Sequence, residues 1–247
     1  MDDLTIIIQG RCEDEQLNLW FKNYSNFKVI ISTWSDYVIP FELPSNWKLI
    51  KVDGVDFDFA GKGCMQNLEY QITSTLNGLN IVDTKYTIKV RGDEYFSYIE
   101  KIYEKIKLDD EKIVCSSIWF RPLNSPYPFH ISDHIISGIT NNIKLMFEGA
   151  KQNLINDMRD NNTPESILGM AYVQQKENYP IETMFKICRD VNWIGYMKKW
   201  YDVIDVNELK PYILTNKAYP NDVNPNIING RYYFRDNFDN FGSITKI

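Results

Sequence analysis

Charged side chains follow an apolar run in the segment KYTIKVRGDE, residues 85–94. In an extended strand alternate side chains point to opposite faces, so Lys89, Arg91 and Asp93 share one face. Charged groups at the end of a buried strand cost free energy unless they are paired or solvated at a site. Two interpretations are open: an ion pair between Arg91 and Asp93 that closes a loop, or a site for a diphosphate and a divalent cation.

The second interpretation defines a metal site. Mg²⁺ is usually held by one or two carboxylates, with phosphate oxygens completing its coordination shell. Asp93 is then the first metal ligand, Glu94 a further one, and Mn²⁺ or Mg²⁺ the expected cofactor. The net charge of -6 argues against a large basic surface for nucleic acid. An anionic ligand must therefore meet a local cluster of cations, such as Lys89 and Arg91.

Both histidines of the chain lie in the segment HISDH, residues 130–134. On a helix, two histidines four residues apart could share a metal ion. Two prolines at positions 126 and 128 precede the segment and argue against a helix. We therefore predict that Asp133 and His134 serve different neighbours, one acting as a base and the other contacting phosphate or metal.

The sequence Thr163-Pro164-Glu165 is typical of a helix start, with threonine as the N-cap and proline in the first turn. A carboxylate in that turn is also favoured by the unpaired main-chain amides. Glu165 therefore either only stabilises the helix or orients a hydroxyl group of a substrate.

Alternating strands and helices would position these residues. A continuous apolar and β-branched run predicts a strand at residues 4–8, and segments rich in apolar residues predict strands at 27–33, 47–52, 86–91 and 113–120. Apolar residues at helical spacing predict helices at residues 17–24, 63–79 and 96–106. The alternation predicts an α/β fold with an open, mainly parallel, Rossmann-like sheet flanked by helices.

Ligands of such sheets bind outside the carboxyl ends of the strands. The residues expected at those ends, besides the charged segment, are Gln9, Gly10, Arg11, Thr33 and Asp53. The amides of Asn67 and Gln71 lie one turn apart on the predicted second helix. They can reach the same edge of the sheet or cap neighbouring strands.

The organisation of the chain predicts a single domain over residues 1–247, less regular after residue 121, because no linker divides it. The N-terminus MDDLTIIIQG does not resemble a signal peptide, and no stretch approaches the ~20 apolar residues of a membrane helix. The four cysteines are far apart, which indicates free thiols rather than a zinc site. We therefore expect a cytoplasmic protein without a transmembrane segment.

Several motifs together resemble one protein family. They are IIIQG at 6–10, STW at 32–34, Asp53-Gly54, N-x-x-x-Q-I-x-S-x-x-x-G-L at 67–79, K-Y-x-x-K-x-R-x-D at 85–93 and S-D-H-x-x-x-G at 132–138. Over residues 4–200 the chain resembles the WavE lipopolysaccharide-synthesis proteins, which belong to the GT-A class of nucleotide-sugar glycosyltransferases. The combination of N-x-x-x-Q and K-x-R-x-D is the most specific element.

The resemblance implies a GT-A-like domain with a nucleotide-binding half, residues 1–120, and an acceptor-side half with a C-terminal extension, residues 121–247. It implies that Gln9, Gly10 and Thr33 line the nucleotide pocket. It also implies that Lys89 and Arg91 bind the phosphates, while Asp93 binds the metal in place of a D-x-D motif.

Two departures from the family pattern stand out. Tyr70 precedes the helical Gln71, where an arginine is frequent in the family. The sequence Arg91-Gly92-Asp93-Glu94 takes the place of a true D-x-D motif. Both departures concern the parts of the site that would set metal dependence and donor type.

The resulting prediction is an enzyme that transfers a sugar from a UDP- or GDP-sugar to a hydroxyl of a glycan acceptor. Asp133 is the candidate base, with Glu165 behind it, and His134 joins the metal shell. Trp34 or Trp119 would help to build a dry sugar pocket.

Two alternatives stay open. The first is a nucleotidyltransferase that makes a nucleotide sugar, although its expected Gly-rich basic loop is replaced here by the acidic QGRCEDEQ. The second is a non-catalytic carbohydrate-binding protein of the same fold. Release of a nucleoside diphosphate from the donor would separate the three functions.

Overall fold

A computed structural model of the chain describes residues 1–54, 64–118, 120, 127–155, 163–190, 192–209 and 211–213. The strands are β1 (Leu4–Gln9), β2 (Lys28–Trp34), β3 (Trp47–Val52), β4 (Tyr86–Arg91), β5 (Glu94–Phe96), β6 (Ile113–Ser116), β7 (Ile135–Ile139), β8 (Tyr201–Ile204) and β9 (Pro211–Ile213). The helices are α1 (Asp14–Tyr24), α2 (Cys64–Leu79), α3 (Ile99–Ile106), α4 (Thr140–Ile155), α5 (Pro164–Glu177), α6 (Ile181–Arg189), α7 (Trp193–Trp200) and α8 (Val206–Leu209).

Seven of the described strands form one sheet in the order β3-β2-β1-β4-β7-β6-β8. Neighbouring strands are parallel except at β7, which runs antiparallel to both β4 and β6. The short strands β5 and β9 form a separate antiparallel pair. The predicted α/β class, with an open and mainly parallel Rossmann-like sheet, is confirmed.

The predicted strands agree with the first part of this sheet. β3 and β4 have the predicted bounds, whereas the run 113–120 contains only the shorter β6. β7 and β8 were not predicted. Because both follow residue 121, the sheet takes strands from the two predicted halves of the chain.

Two apolar layers cover the faces of the sheet. Ile7 of β1 packs into the layer that holds α2, α4 and α5, whereas Ile6 and Ile8 pack into the layer that holds α1 and α3. Burial of both faces explains why β1 is a nearly continuous run of apolar and β-branched residues. The polar residues at the strand ends are therefore the ones left to face a ligand.

The loops that follow β1 and β4 pack directly against each other. Gln9 lies beside Arg91 in the register, so the two strands end at the same level. The Gly92 amide donates to the Gln9 carbonyl at 2.8 Å, and its carbonyl accepts from the Glu13 amide at 3.2 Å. A Cβ atom at Gly92 would lie only 2.6 Å from the main-chain oxygen of Arg11. A side chain at this position would therefore force the two loops apart.

Replacing Gly92 with alanine is expected to lower the free energy of unfolding by about 1–3 kcal/mol, because the loops must move to admit a methyl group. Urea unfolding measures the change. Gly195→Ala is the matched control, since Gly195 lies in α7 and a Cβ there meets no atom within 4 Å. Alanine at that helical position should keep stability or raise it by up to about 1 kcal/mol. Equal unfolding midpoints for the two variants would contradict the close contact.

Two other expectations concern the membrane and the thiols. Among the described residues, no helix is long and apolar enough to cross a bilayer.

Cys12, Cys115 and Cys188 carry free thiols, while the side chain of Cys64 lies outside the described part of the chain. Burial raises the pKa of Cys12 and of Cys188 to about 12, so neither thiol is a nucleophile near neutral pH.

Candidate functional site

A cavity of about 540 Å³ opens at the carboxyl ends of β1, β2 and β4. Its described lining consists of Gln9, Gly10, Arg11, Trp34, Asn67, Leu68, Tyr70, Gln71, Arg91, Asp93, His130, Asp133, Thr163, Pro164 and Glu165. In the sheet order, β2 lies on one side of β1 and β4 on the other, so the strand order reverses here. This reversal is the point at which open α/β sheets bind their ligands.

The guanidinium of Arg91 lies among three carboxylates. Its Nε and Nη2 atoms donate to the two oxygens of Asp93 at 3.0 and 2.8 Å. Nε also lies 3.5 Å from Oε1 of Glu94, and Nη1 lies 3.8 Å from Oδ2 of Asp133. The Arg91 side chain is 33% exposed, against 15% for Asp93 and Asp133 and 0% for Glu94. The ion pair predicted as one interpretation therefore forms, and its cation is the most exposed member of the cluster.

The carboxylate of Asp133 is held from several sides. Gln71 donates to its Oδ2 at 2.9 Å, and Nε2 of His134 lies 3.8 Å from its Oδ1. Burial alone would raise the pKa of Asp133. The neighbouring charges of His134, Arg91 and Lys89 outweigh burial and hold that pKa well below its usual range. Asp133 is therefore a stable anion and a weak proton acceptor.

Lys89 lies behind the cavity rather than in its wall. Its side chain is fully buried, and Nζ donates to the main-chain oxygen of Asp133 at 2.6 Å. Burial lowers the pKa of Lys89 to about 8. Lys89 therefore supports the loop that carries Asp133 and contributes positive charge from beneath it.

The predicted metal ligands Glu94 and His134 bond to each other. Glu94 is fully buried, and its Oε1 contacts Nδ1 of His134, which is itself buried. Both oxygens of Asp93 bond to Arg91 instead. These residues do not fit a shared divalent cation in this arrangement, because the guanidinium lies between Asp93 and Glu94. Within the described ranges, no three His, Cys, Asp or Glu residues are arranged to hold a metal ion.

Glu165 contributes a carboxylate to the cavity wall from the first turn of α5. The helix starts as predicted: the Thr163 hydroxyl accepts from the Ser166 amide at 3.2 Å. Oε2 of Glu165 lies 3.6 Å from Nε2 of His130, and the side chain is 26% exposed. Burial, and next the charge of Asp133, raise the pKa of Glu165. Of the two predicted base candidates, Glu165 therefore binds a proton more readily.

The structure brings most of the predicted site residues together. Those that line the cavity are Gln9, Gly10, Arg11, Asn67, Gln71, Arg91, Asp93, Asp133 and Glu165. Lys89, Glu94 and His134 lie behind them in the buried charge network. Thr33 is buried within β2 and Asp53 is exposed beyond β3, so neither belongs to the described lining.

The aromatic part of the lining was predicted only in part. Trp34 lines the cavity as expected, whereas Trp119 lies outside the described residues. Tyr70, to which no role was assigned, packs edge-on against Trp34 with ring centroids 4.9 Å apart. Its position between Asn67 and Gln71 on one face of α2 was the available signal. The contact of His130 with Glu165 of α5 was likewise not predicted, because a contact between a loop and a helix far apart in the sequence leaves no sequence pattern.

The fold and the cavity define a class of protein: a Rossmann-like α/β protein with a cavity at the switch point of its sheet. A family model described as WavE lipopolysaccharide synthesis matches residues 22–191. The chain belongs to this family, which confirms the resemblance and implies a part in lipopolysaccharide synthesis. Comparison with curated protein sequences found no significant match.

Proposed function

We propose that this chain is a GT-A-type glycosyltransferase that moves a sugar from a UDP- or GDP-sugar to a hydroxyl of a glycan acceptor. One observation carries the proposal: a single cavity at the switch point is lined both by the cation Arg91 and by Glu165, a carboxylate with a raised pKa. Glycosyl transfer needs these two groups, because a diphosphate leaves while a hydroxyl loses its proton. Membership of a lipopolysaccharide-synthesis family supports the same conclusion.

In a direct displacement, Glu165 accepts the proton of the acceptor hydroxyl. The hydroxyl oxygen forms a bond to the anomeric carbon of the sugar, and the bond from that carbon to the diphosphate oxygen breaks. The leaving nucleoside diphosphate takes the bonding electrons, and its negative charge faces Arg91. Asp133 keeps its negative charge throughout, since its pKa lies far below neutral pH.

The remaining lining suits the uncharged parts of the donor. Trp34 and Tyr70 offer aromatic surfaces for a nucleobase or a sugar ring, while the amides of Asn67 and Gln71 offer hydrogen bonds to hydroxyl groups. No step above depends on the Mn²⁺ or Mg²⁺ that the sequence suggests as a cofactor.

Thermal unfolding with a panel of UDP- and GDP-sugars tests whether the cavity binds donors. A ligand at 100 times its Kd stabilises the folded protein by about 2.7 kcal/mol, so at least one sugar should raise Tm. Trp34→Ala should weaken binding roughly threefold to tenfold by removing the aromatic surface. The control Phe185→Ala removes an exposed aromatic side chain of α6 and should bind normally. A panel without any stabilising member would contradict the proposed function.

A further inference from the structure

The guanidinium of Arg91 supplies a positive charge at the end of β4. A divalent metal at this place would need oxygen ligands, and the nearby oxygens belong to Asp93, Glu94 and Asp133. All three carboxylates instead lie within 3.8 Å of the Arg91 guanidinium. The position that the sequence assigns to a metal ion is therefore taken by a side chain of fixed positive charge.

The other acids of the cluster have further partners. Glu94 bonds to His134, and Asp133 accepts a hydrogen bond from Gln71 while Lys89 lies close to it. Only Asp93 has both of its oxygens bonded to the guanidinium. Asp93 therefore holds Arg91 in place by two hydrogen bonds. Glu94 and Asp133 lie close to Arg91 but also have partners of their own.

Arg91 keeps hydrogen-bonding capacity toward the cavity. A guanidinium has five N–H groups, and its hydrogen bonds in the described structure use one from Nε and one from Nη2. The distance of 3.8 Å from Nη1 to Asp133 is too long for a hydrogen bond. The two N–H groups of Nη1 can therefore donate to two phosphate oxygens, while Asp93 accepts from Nε and Nη2 on the other side of the guanidinium.

We propose that Arg91, and not a divalent metal ion, is the cation that binds the diphosphate of the donor, with Asp93 as the residue that positions it. The inference rests on the proposed function and specifies how that function is performed. It predicts that nucleoside diphosphates bind without Mn²⁺ or Mg²⁺.

Calorimetry with UDP and with GDP, in chelator and again in excess Mn²⁺, tests the inference. At least one nucleotide should bind with a Kd that differs by less than about threefold between the two conditions. Arg91→Gln should raise that Kd by about 10- to 100-fold, since it removes charge-assisted hydrogen bonds. Arg91→Lys keeps the charge but loses the fork, and should still bind several-fold more weakly than the native protein. Circular dichroism and a melting curve show which variants are folded.

The matched control is Lys85→Gln, which removes the cation of the exposed Lys85–Asp110 ion pair beside the opposite end of β4. It should bind the nucleotide with the native Kd. Three results together would overturn the role of Arg91 but not the proposed function. The nucleotide would bind only with Mn²⁺, the nucleotide-free protein would bind Mn²⁺, and Asp93→Asn would abolish that Mn²⁺ binding. Absence of binding in both conditions would overturn the proposed function and this inference with it.

Discussion

Glu165→Gln is expected to lower kcat for sugar transfer by about 10²- to 10⁴-fold while leaving the Kd of the nucleoside diphosphate unchanged. The amide of glutamine cannot accept the acceptor proton, yet it keeps the size and most contacts of the native side chain. Donor binding depends on a different part of the cavity. Initial rates at saturating donor, together with calorimetry, measure the two quantities separately.

The pH dependence of kcat supplies a second readout. A general base works in its deprotonated form, so activity should rise as the pH passes upward through the pKa of Glu165. Burial and the charge of Asp133 place that pKa above the ordinary 4.5 of a glutamate. The rise should disappear in Glu165→Gln, whose residual activity has no such base to titrate.

Glu182→Gln is the matched control, because Glu182 is an exposed glutamate in the first turn of α6. It reports what the loss of a first-turn carboxylate does through the helix dipole alone, and it should leave kcat unchanged. Near-normal kcat in Glu165→Gln, with a large loss in Asp133→Asn, would move the base to Asp133. Normal rates in both variants would contradict a carboxylate base at either position.

Asp133→Asn is expected to lower the free energy of unfolding at pH 7 by about 3–5 kcal/mol, because it removes a largely buried anion and leaves the fully buried Lys89 without its main compensating charge. Lys89 is fully buried beneath this residue, and Arg91 lies 3.8 Å away. Urea unfolding at pH 7 measures the loss. Asp83→Asn breaks an exposed ion pair with Lys28 and should leave stability nearly unchanged.

The same variant should also change how the free energy of unfolding depends on pH in acid. The pKa of Asp133 is lowered in the folded protein, so its contribution to stability is complete above its ordinary pKa of 3.8 and is lost as the pH falls below that value. Native stability should therefore drop below about pH 4 more steeply than that of Asp133→Asn. If the free energy of unfolding fell equally steeply below about pH 4 in the two proteins, Asp133 would not be held as an anion.

The sequence predicts the first four strands well because each is rich in apolar residues and is followed within two residues by a charged residue or a glycine. β7 and β8 were not predicted because Ser137 and Gly138 interrupt the apolar run of β7, while β8 has only four residues. The reversed direction of β7 has a direct consequence for the site. Its first residue pairs with Val90 near the end of β4, so the preceding loop brings Asp133 to the ligand edge.

The arrangement of the charged cluster depends on a turn that alternation cannot predict. Lys89 and Arg91 follow the period of β4, but Gly92 and Asp93 form a turn before β5 begins. Asp93 therefore folds back on Arg91, and Glu94 points into the interior toward His134. The residue types of the site were readable from the sequence, whereas their pairing required the tertiary structure.

Nucleoside diphosphate formation from the nucleotide sugar that most stabilises the protein, measured with and without a glycan acceptor, shows whether this chain transfers a sugar. We expect the nucleoside diphosphate to form, faster with a glycan acceptor and much more slowly in Glu165→Gln. Release of pyrophosphate from a nucleoside triphosphate and a sugar phosphate would instead indicate a nucleotidyltransferase. Donor binding with no nucleoside diphosphate formed in the presence of any glycan acceptor would contradict a transferase and indicate a non-catalytic carbohydrate-binding protein.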